Sequence, residues 1–188
     1  MADIATSISE VTGRGMIELR LRPLNTASQG AARKALGVDL PAKPRTSAAS
    51  GARVILWLSP DHWLVTCPAA ETAALVKALE TGLQGQSAAI IDVSAARRIF
   101  SVSGSHARLV LMKGTSVDLM QDDVTPGFVR RARFADLATL IHCTGSDPDG
   151  FHLYVFRSYF DYVRRWLEQT AQPAGLFDLY GAQPAPAV

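Results

Sequence analysis

Apolar and polar residues alternate through residues 16–22, MIELRLR, the period-two pattern of a half-buried strand, and Pro23 is expected to end it. The period then lengthens. Residues 28–36 read as a short helix stopped at Gly37, and residues 41–52, rich in Pro, Ala, Ser and Gly, read as a mobile connection. Alternation resumes with Val54, Leu56 and Leu58 on one strand face and Ile55 and Trp57 on the other. Pro60-Asp61 supplies a turn, because proline pre-sets φ at the first central position and aspartate bonds its own backbone. Residues 62–67 return as the partner strand, and residues 71–83 predict a second helix with Leu75, Leu79 and Leu83 toward the core.

The same order then recurs. Residues 88–93 form a short apolar run, polar residues 94–98 turn the chain, and Ile99, Phe100 and Val102 make a further extended run ending at Gly104. From Ser105 the spacing becomes helical through Ala107, Val110 and Leu111, with Ser103 or Ser105 available as an N-cap and Gly114 as the stop. Two internal matches accompany this layout. Gly37 leads to Val38-Asp39-Leu40 as Gly114 leads to Val117-Asp118-Leu119, and Pro60-Asp61 precedes Trp63, Val65 and Leu79 at the offsets at which Pro148-Asp149 precedes Phe151, Leu153 and Leu167. The second half carries a longer insertion before its hairpin. Each half therefore reads as strand, helix, hairpin, helix, and the predicted fold class is α+β, a duplicated split βαβ (ferredoxin-like) unit.

The organisation expected from this pattern is a flexible N-terminus over residues 1–15, one globular domain over 16–172 made of pseudo-repeats 16–83 and 86–172, and a tail over 173–188. The final helix, residues 159–169, places Tyr159, Val163 and Trp166 on one face with Phe160 and Leu167 adjoining, a stripe suited to packing on a sheet, and Pro173 and Gly175 stop it. In the tail, Leu176, Phe177, Leu179 and Tyr180 form an apolar knot. Each such side chain gains about 1.5–3 kcal/mol on full burial, so the knot is expected to dock, either on the chain's own sheet or in a groove of a partner.

Composition changes this picture little. With 48% apolar and 19% charged residues in 188, the chain is of ordinary globular type, and a domain of this size buries about 70% of its unfolded surface without a disulfide or metal staple. Cys67 and Cys143 end apolar runs without CxxC spacing, which fits a reducing compartment, so a cytoplasmic location is expected. The first fifteen residues lack the basic start and apolar stretch of a signal peptide, and no run approaches the roughly 20 apolar residues that cross a bilayer. The net charge of +2 does not argue for nucleic acid. Arginine pairs at Arg97-Arg98, Arg130-Arg131 and Arg164-Arg165 serve either solvated ion pairs or a partner interface, for which Arg130 and Arg131 are the candidates.

Tests for chemistry are negative. Ser103-Gly104-Ser105 is the one turn between strand and helix that resembles a phosphate cradle, and it lacks both the G-x-G-x-x-G spacing and the lysine of a P-loop. His142, Cys143 and His152 flank one predicted hairpin, but adjacent strand residues point to opposite faces, so three ligands do not converge on a metal. Ser105 and His106 are neighbours that do not face each other on a helix, and no G-x-S-x-G elbow accompanies them.

Asp92-Val93-Ser94, the extended run after it, Gly104 followed by Ala107, and the apolar helix resemble the folate-dependent aminomethyltransferase (glycine cleavage T-protein) superfamily, and within it the gamma subunits of heterotetrameric sarcosine oxidases. WLSPDHWLV, residues 57–65, is similar to that family's Trp-Leu-x-Pro-Asp-x-Trp-Leu hairpin, and FHLYVFRSYFDYVRRWL, residues 151–167, to its closing strand and helix. The resemblance implies the folate-binding fold of the T-protein and a non-catalytic small subunit. Its complex would demethylate sarcosine oxidatively to glycine and pass the one-carbon unit to tetrahydrofolate. It also implies a large alpha subunit as direct partner, with beta and delta subunits, and places FAD, FMN, NAD, tetrahydrofolate and zinc in those partners. The alternative is a free-standing folate-binding aminomethyltransferase-like protein. Transferases of the superfamily position substrate with a Gly-Gly-x-x-Asp-Asp type segment, whereas the corresponding hairpin here, residues 143–151, carries Asp147 and Asp149 in turn positions. No catalytic, cofactor-binding or metal-binding residue is therefore expected in this chain.

Overall fold

The computed structural model describes residues 6–22 and 24–172. Pro23, Pro173, Gly175 and the tail residues Leu176, Phe177, Leu179 and Tyr180 lie outside the described residues. In chain order the elements are β1 (Ser7–Glu10), β2 (Arg14–Leu21), α1 (Thr26–Leu36), β3 (Ser47–Ser50), β4 (Arg53–Ser59), β5 (His62–Pro68), α2 (Thr72–Gly82), β6 (Ala88–Asp92), β7 (Arg97–Ser103), α3 (Ala107–Met112), β8 (Val129–Phe134), β9 (Leu137–Ser146), β10 (Asp149–Phe156) and α4 (Phe160–Thr170). They form two antiparallel sheets, ordered β3-β4-β5-β2-β6 and β1-β7-β10-β9-β8.

The duplication read from the sequence is exact at the level of strand register. Arg14 pairs with Pro68 and Ile17 with Val65 in the first sheet, as Arg97 pairs with Phe156 and Phe100 with Leu153 in the second. Each unit's leading strand, however, is exchanged. β1 precedes β2 in the chain but pairs with β7, Glu10 opposite Phe100, while β6 precedes β7 but pairs with β2, Asp92 opposite Ile17. The turns that carry the chain across are also equivalent: Val11 N donates to Ile99 O at 2.9 Å and Val93 N to Met16 O at 2.8 Å. Asp92-Val93-Ser94 closes one of them, because Ser94 N and Oγ both donate to Asp92 Oδ1 while Met16 N donates to Ser94 Oγ. Two ferredoxin-like units thus complete each other's sheets.

Strand alternation sorts the core into layers. Ile17, Leu19, Trp63, Val65 and Cys67 pack with Leu36, Leu75 and Leu79 of α1 and α2, and Phe100, Val102, Phe151 and Leu153 pack with Val110, Val163 and Leu167 of α3 and α4. The opposite strand faces meet between the sheets, where Met16, Leu56, Leu58 and Leu64 touch Ile99, Val129, Leu140 and Tyr154. The order of layers is helix, sheet, sheet, helix.

Several expectations are corrected. Residues 1–15 were expected to be flexible, but Ser7–Glu10 is a strand, because β7 would otherwise present an unpaired edge and Ile8 packs on the second core. The connection expected over 41–52 contains β3, an edge strand of small residues continued by a bridge between Thr46 and Phe128. The insertion in the second half contains β8, which turns into β9 through Ala135 and Asp136 at φ 46° and 67°. Only its ends, Val129 and Phe134, are buried, which is why VRRARF carries no apolar alternation. His106, rather than Ser103 or Ser105, occupies the N-cap of α3. Tyr159 lies in a 3₁₀ turn (Arg157–Tyr159) that resets the helix start, so Val163 and Leu167 face the core and Tyr159 is exposed.

Candidate functional site

Polar side chains interrupt the apolar layer between the sheets at one end. Glu18 and Arg20 on β2 and His62 at the start of β5 share the face of Met16 and Leu64, and Arg97 at the start of β7 shares the face of Ile99. Glu18, His62 and Arg97, together with Leu58, Leu64, Arg131, Ala138, Thr139, Leu140 and Phe156, line a cavity of about 250 Å³. Arg97 Nη2 donates to Glu18 Oε1 at 2.9 Å, joining the two sheets, and its guanidinium lies 4.6 Å from the Phe156 ring centroid. His62 Nε2 lies 3.4 Å from Glu18 Oε2 but out of line for a hydrogen bond, and Arg20 Nη2 lies 3.3 Å from His62 Nδ1.

These contacts set the charge states. Burial alone would raise the Glu18 pKa, but the hydrogen bond and charge of Arg97, with His62 behind them, hold it below the usual carboxylate value. Burial lowers the His62 pKa; Glu18 opposes this, and Arg20 and Arg131 add to it. The cluster therefore consists of a carboxylate paired with Arg97, a neutral imidazole and the guanidinium groups of Arg20 and Arg131. Since arginine can only donate, Arg20 assigns Nδ1 of His62 as the acceptor and leaves the proton on Nε2. An acid already committed to an ion pair is a poor general base.

A second polar group occupies the other end of the layer. His142 and His152 are cross-strand partners with ring centroids 6.2 Å apart, and His142 Nε2 lies 3.3 Å from Ser47 Oγ. Burial, with a smaller contribution from His152, pushes the His142 pKa down to about 4, and burial with the charge of Arg14 lowers His152. Cys143 points to the opposite face, into the helix-side core, where burial raises its thiol pKa. Among the described residues no group of three or more His, Cys, Asp or Glu side chains converges to hold a metal ion.

The interface candidates separate. Arg130 and Arg131 are consecutive on β8 and point to opposite faces, so Arg131 reaches the cavity and Arg130 does not. Sequence reasoning missed Glu18 and His62, and read Arg97 as one of an arginine pair without its partner, because the polar face of an alternating strand reads as solvent-facing when the second sheet is not in view. It also missed the exposed apolar residues: Ile91 is 54% exposed, Tyr162 53% and Phe156 39%. Asp149 does more than shape a turn. Its carboxylate accepts from Arg108 Nε at 2.8 Å, and Arg108 also donates to the carbonyls of Leu119 and Val124, pinning residues 115–128.

Comparison with known proteins places this arrangement. The model of the sarcosine oxidase, gamma subunit family matches residues 23–173. The sarcosine oxidase subunit gamma of Arthrobacter sp. is 33% identical over 116 residues, which cover 61% of this chain and 56% of that relative, so the alignment spans little more than half of its length. A chain of the heterotetrameric sarcosine oxidase from Corynebacterium sp. U-96, in complex with pyrrole 2-carboxylate, superposes with a TM-score of 0.85 at 24% identity, covering 95% of this chain and 90% of that one. The glycine cleavage system aminomethyltransferase T from Bartonella henselae shares the fold at a TM-score of 0.66 and 16% identity, over 87% of this chain and 45% of that one. The chain belongs to the sarcosine oxidase gamma subunit family.

Proposed function

We propose that the chain is a non-catalytic subunit of a heterotetrameric sarcosine oxidase. In that complex, sarcosine is demethylated oxidatively to glycine, oxygen is reduced to hydrogen peroxide, and the one-carbon unit passes to tetrahydrofolate on partner subunits. The family match along residues 23–173 carries this reading. The chemistry of the site supports it, since Glu18 is held in an ion pair with Arg97. FAD, FMN, NAD and zinc are assigned to the alpha, beta and delta partners, and the assembly to the cytoplasm. No helix among the described residues is long and apolar enough to cross a membrane. Exposed Ile91, Phe156, Tyr159 and Tyr162 supply apolar surface for a large subunit, and Arg130 with Leu176, Phe177, Leu179 and Tyr180 are its further proposed contacts.

Purified alone, the chain is expected to be colourless and inactive toward sarcosine, with peroxide production appearing on co-expression with the larger subunits. Stoichiometric flavin absorbance in the isolated chain would overturn the reading. Tetrahydrofolate titrated calorimetrically into the chain alone is expected to give no saturable isotherm. A one-to-one isotherm would favour the free-standing folate-binding transferase instead.

A further inference from the structure

We propose that the cavity between the sheets is a binding site for a small monocarboxylate carried on a compact apolar body. Its charge is unbalanced. Glu18 is paired with Arg97, whereas Arg131 at the cavity wall and Arg20 behind His62 make no ion pair among the described residues, leaving an excess of positive charge. A buried donor is also poorly matched. His62 is 6% exposed, and its Nε2–H, fixed by the Arg20 contact at Nδ1, meets only Glu18 Oε2, at 3.4 Å and out of line, on a carboxylate already taken by Arg97. A buried donor matched this poorly leaves a place for a better-aligned acceptor.

The rest of the lining specifies the body of the ligand. Leu58, Leu64 and Leu140 are buried between the sheets, and the Phe156 ring, stacked by Arg97, forms an apolar wall at the mouth. A volume of about 250 Å³ equals that of about eight waters at their share of the liquid, enough for a single ring bearing a carboxylate. Arg131 meets the carboxylate with a charge-assisted contact, His62 Nε2 donates to it, and the leucines and Phe156 hold the ring. A cation would face Arg131 and Arg20.

Benzoate is the probe, titrated calorimetrically into the full chain, with benzamide as the uncharged molecule of the same shape. Saturable one-to-one binding of benzoate and none of benzamide is expected. Arg131→Gln should weaken it by at least about tenfold, the loss that follows removal of one charge-assisted hydrogen bond. Arg130→Gln, on the opposite face of the same strand, should leave it unchanged. The same titration on the assembled complex separates the sources of the carboxylate. Binding that persists there and is weakened by Arg131→Gln supports a free small molecule in this cavity; binding that Arg131→Gln leaves unchanged lies elsewhere in the complex, and the proposal falls. Binding abolished by assembly means that a partner side chain fills the cavity, and the proposal falls. It falls equally if benzoate does not saturate, if benzamide binds as well, or if both arginine variants lose affinity alike. Because the free-chain arms do not depend on membership in an oxidase, their failure is distinct from failure of the functional reading above.

Discussion

Trp63→Ala should lower the melting temperature of the chain by about 6–20 °C, from the ~3–5 kcal/mol typical of a buried aromatic truncated to alanine and ~2–4 °C per kcal/mol for a domain of this size. Trp63 is fully buried beneath α1 and α2, and its indole Nε1 donates to Pro41 O at 2.9 Å. The side chain thus fills the first core and also fixes the backbone that leads into β3. Trp63→Phe keeps most of the volume but leaves the Pro41 carbonyl without its donor, and should cost about 1–3 kcal/mol, clearly less than alanine. Thermal unfolding followed by circular dichroism checks both. A Trp63→Ala chain that melts at the wild-type temperature would show that neither packing nor tether holds this layer.

The same residue shows why part of the fold was legible. In β2, β4 and β5 the alternation reports one face reliably, because Ile17, Leu19, Trp63 and Val65 must be covered by helices whose own spacing is equally regular. The opposite face carries Met16 and Leu64 but also Glu18, Arg20 and His62, a mixture that period-two reasoning reads as solvated. Its burial depends on a second sheet arriving from the other half of the chain. Short-range patterning cannot report that, and the Glu18–Arg97 pair it creates spans the two units. β1, β3 and β8 were hidden for a related reason. Each lies at a sheet edge, where one neighbour suffices and small or charged residues are tolerated, so SISE, SAAS and VRRARF show no strand signature.

Strand exchange has an energetic corollary. β1 is tied to the second unit by its ladder with β7 and by Arg98 Nη1 donating to Glu10 Oε1 at 2.5 Å, while the chain continues directly into β2 of the first unit. β6 does the reverse. Neither unit can lose its sheet without removing an edge strand from the other, so the chain should unfold as one cooperative body rather than half by half.

Acid should destabilise this body in a window set by its histidines. His142, His152 and His62 all have folded pKa values below the ordinary 6.5, so the unfolded chain binds protons more readily than the folded one, and stability present above 6.5 is lost as the pH falls. For His142 the loss reaches about 3 kcal/mol at about pH 4 and levels off below it, the largest part of it coming from denying water to the imidazolium. Glu18 also has a lowered pKa, but a carboxylate with that sign loses its stabilisation only as the pH falls below its ordinary 4.5, so the range from 6.5 to 4.5 isolates the histidines. His142→Gln keeps a polar group facing Ser47 without a titrating ring. Melts of the two chains across this range should diverge, the wild type losing stability steeply and the variant retaining most of its neutral-pH value, with His152 and His62 accounting for the remaining slope. Parallel pH profiles for the two chains would show that His142 takes its proton without resistance and that the layer between the sheets is open to water at that end.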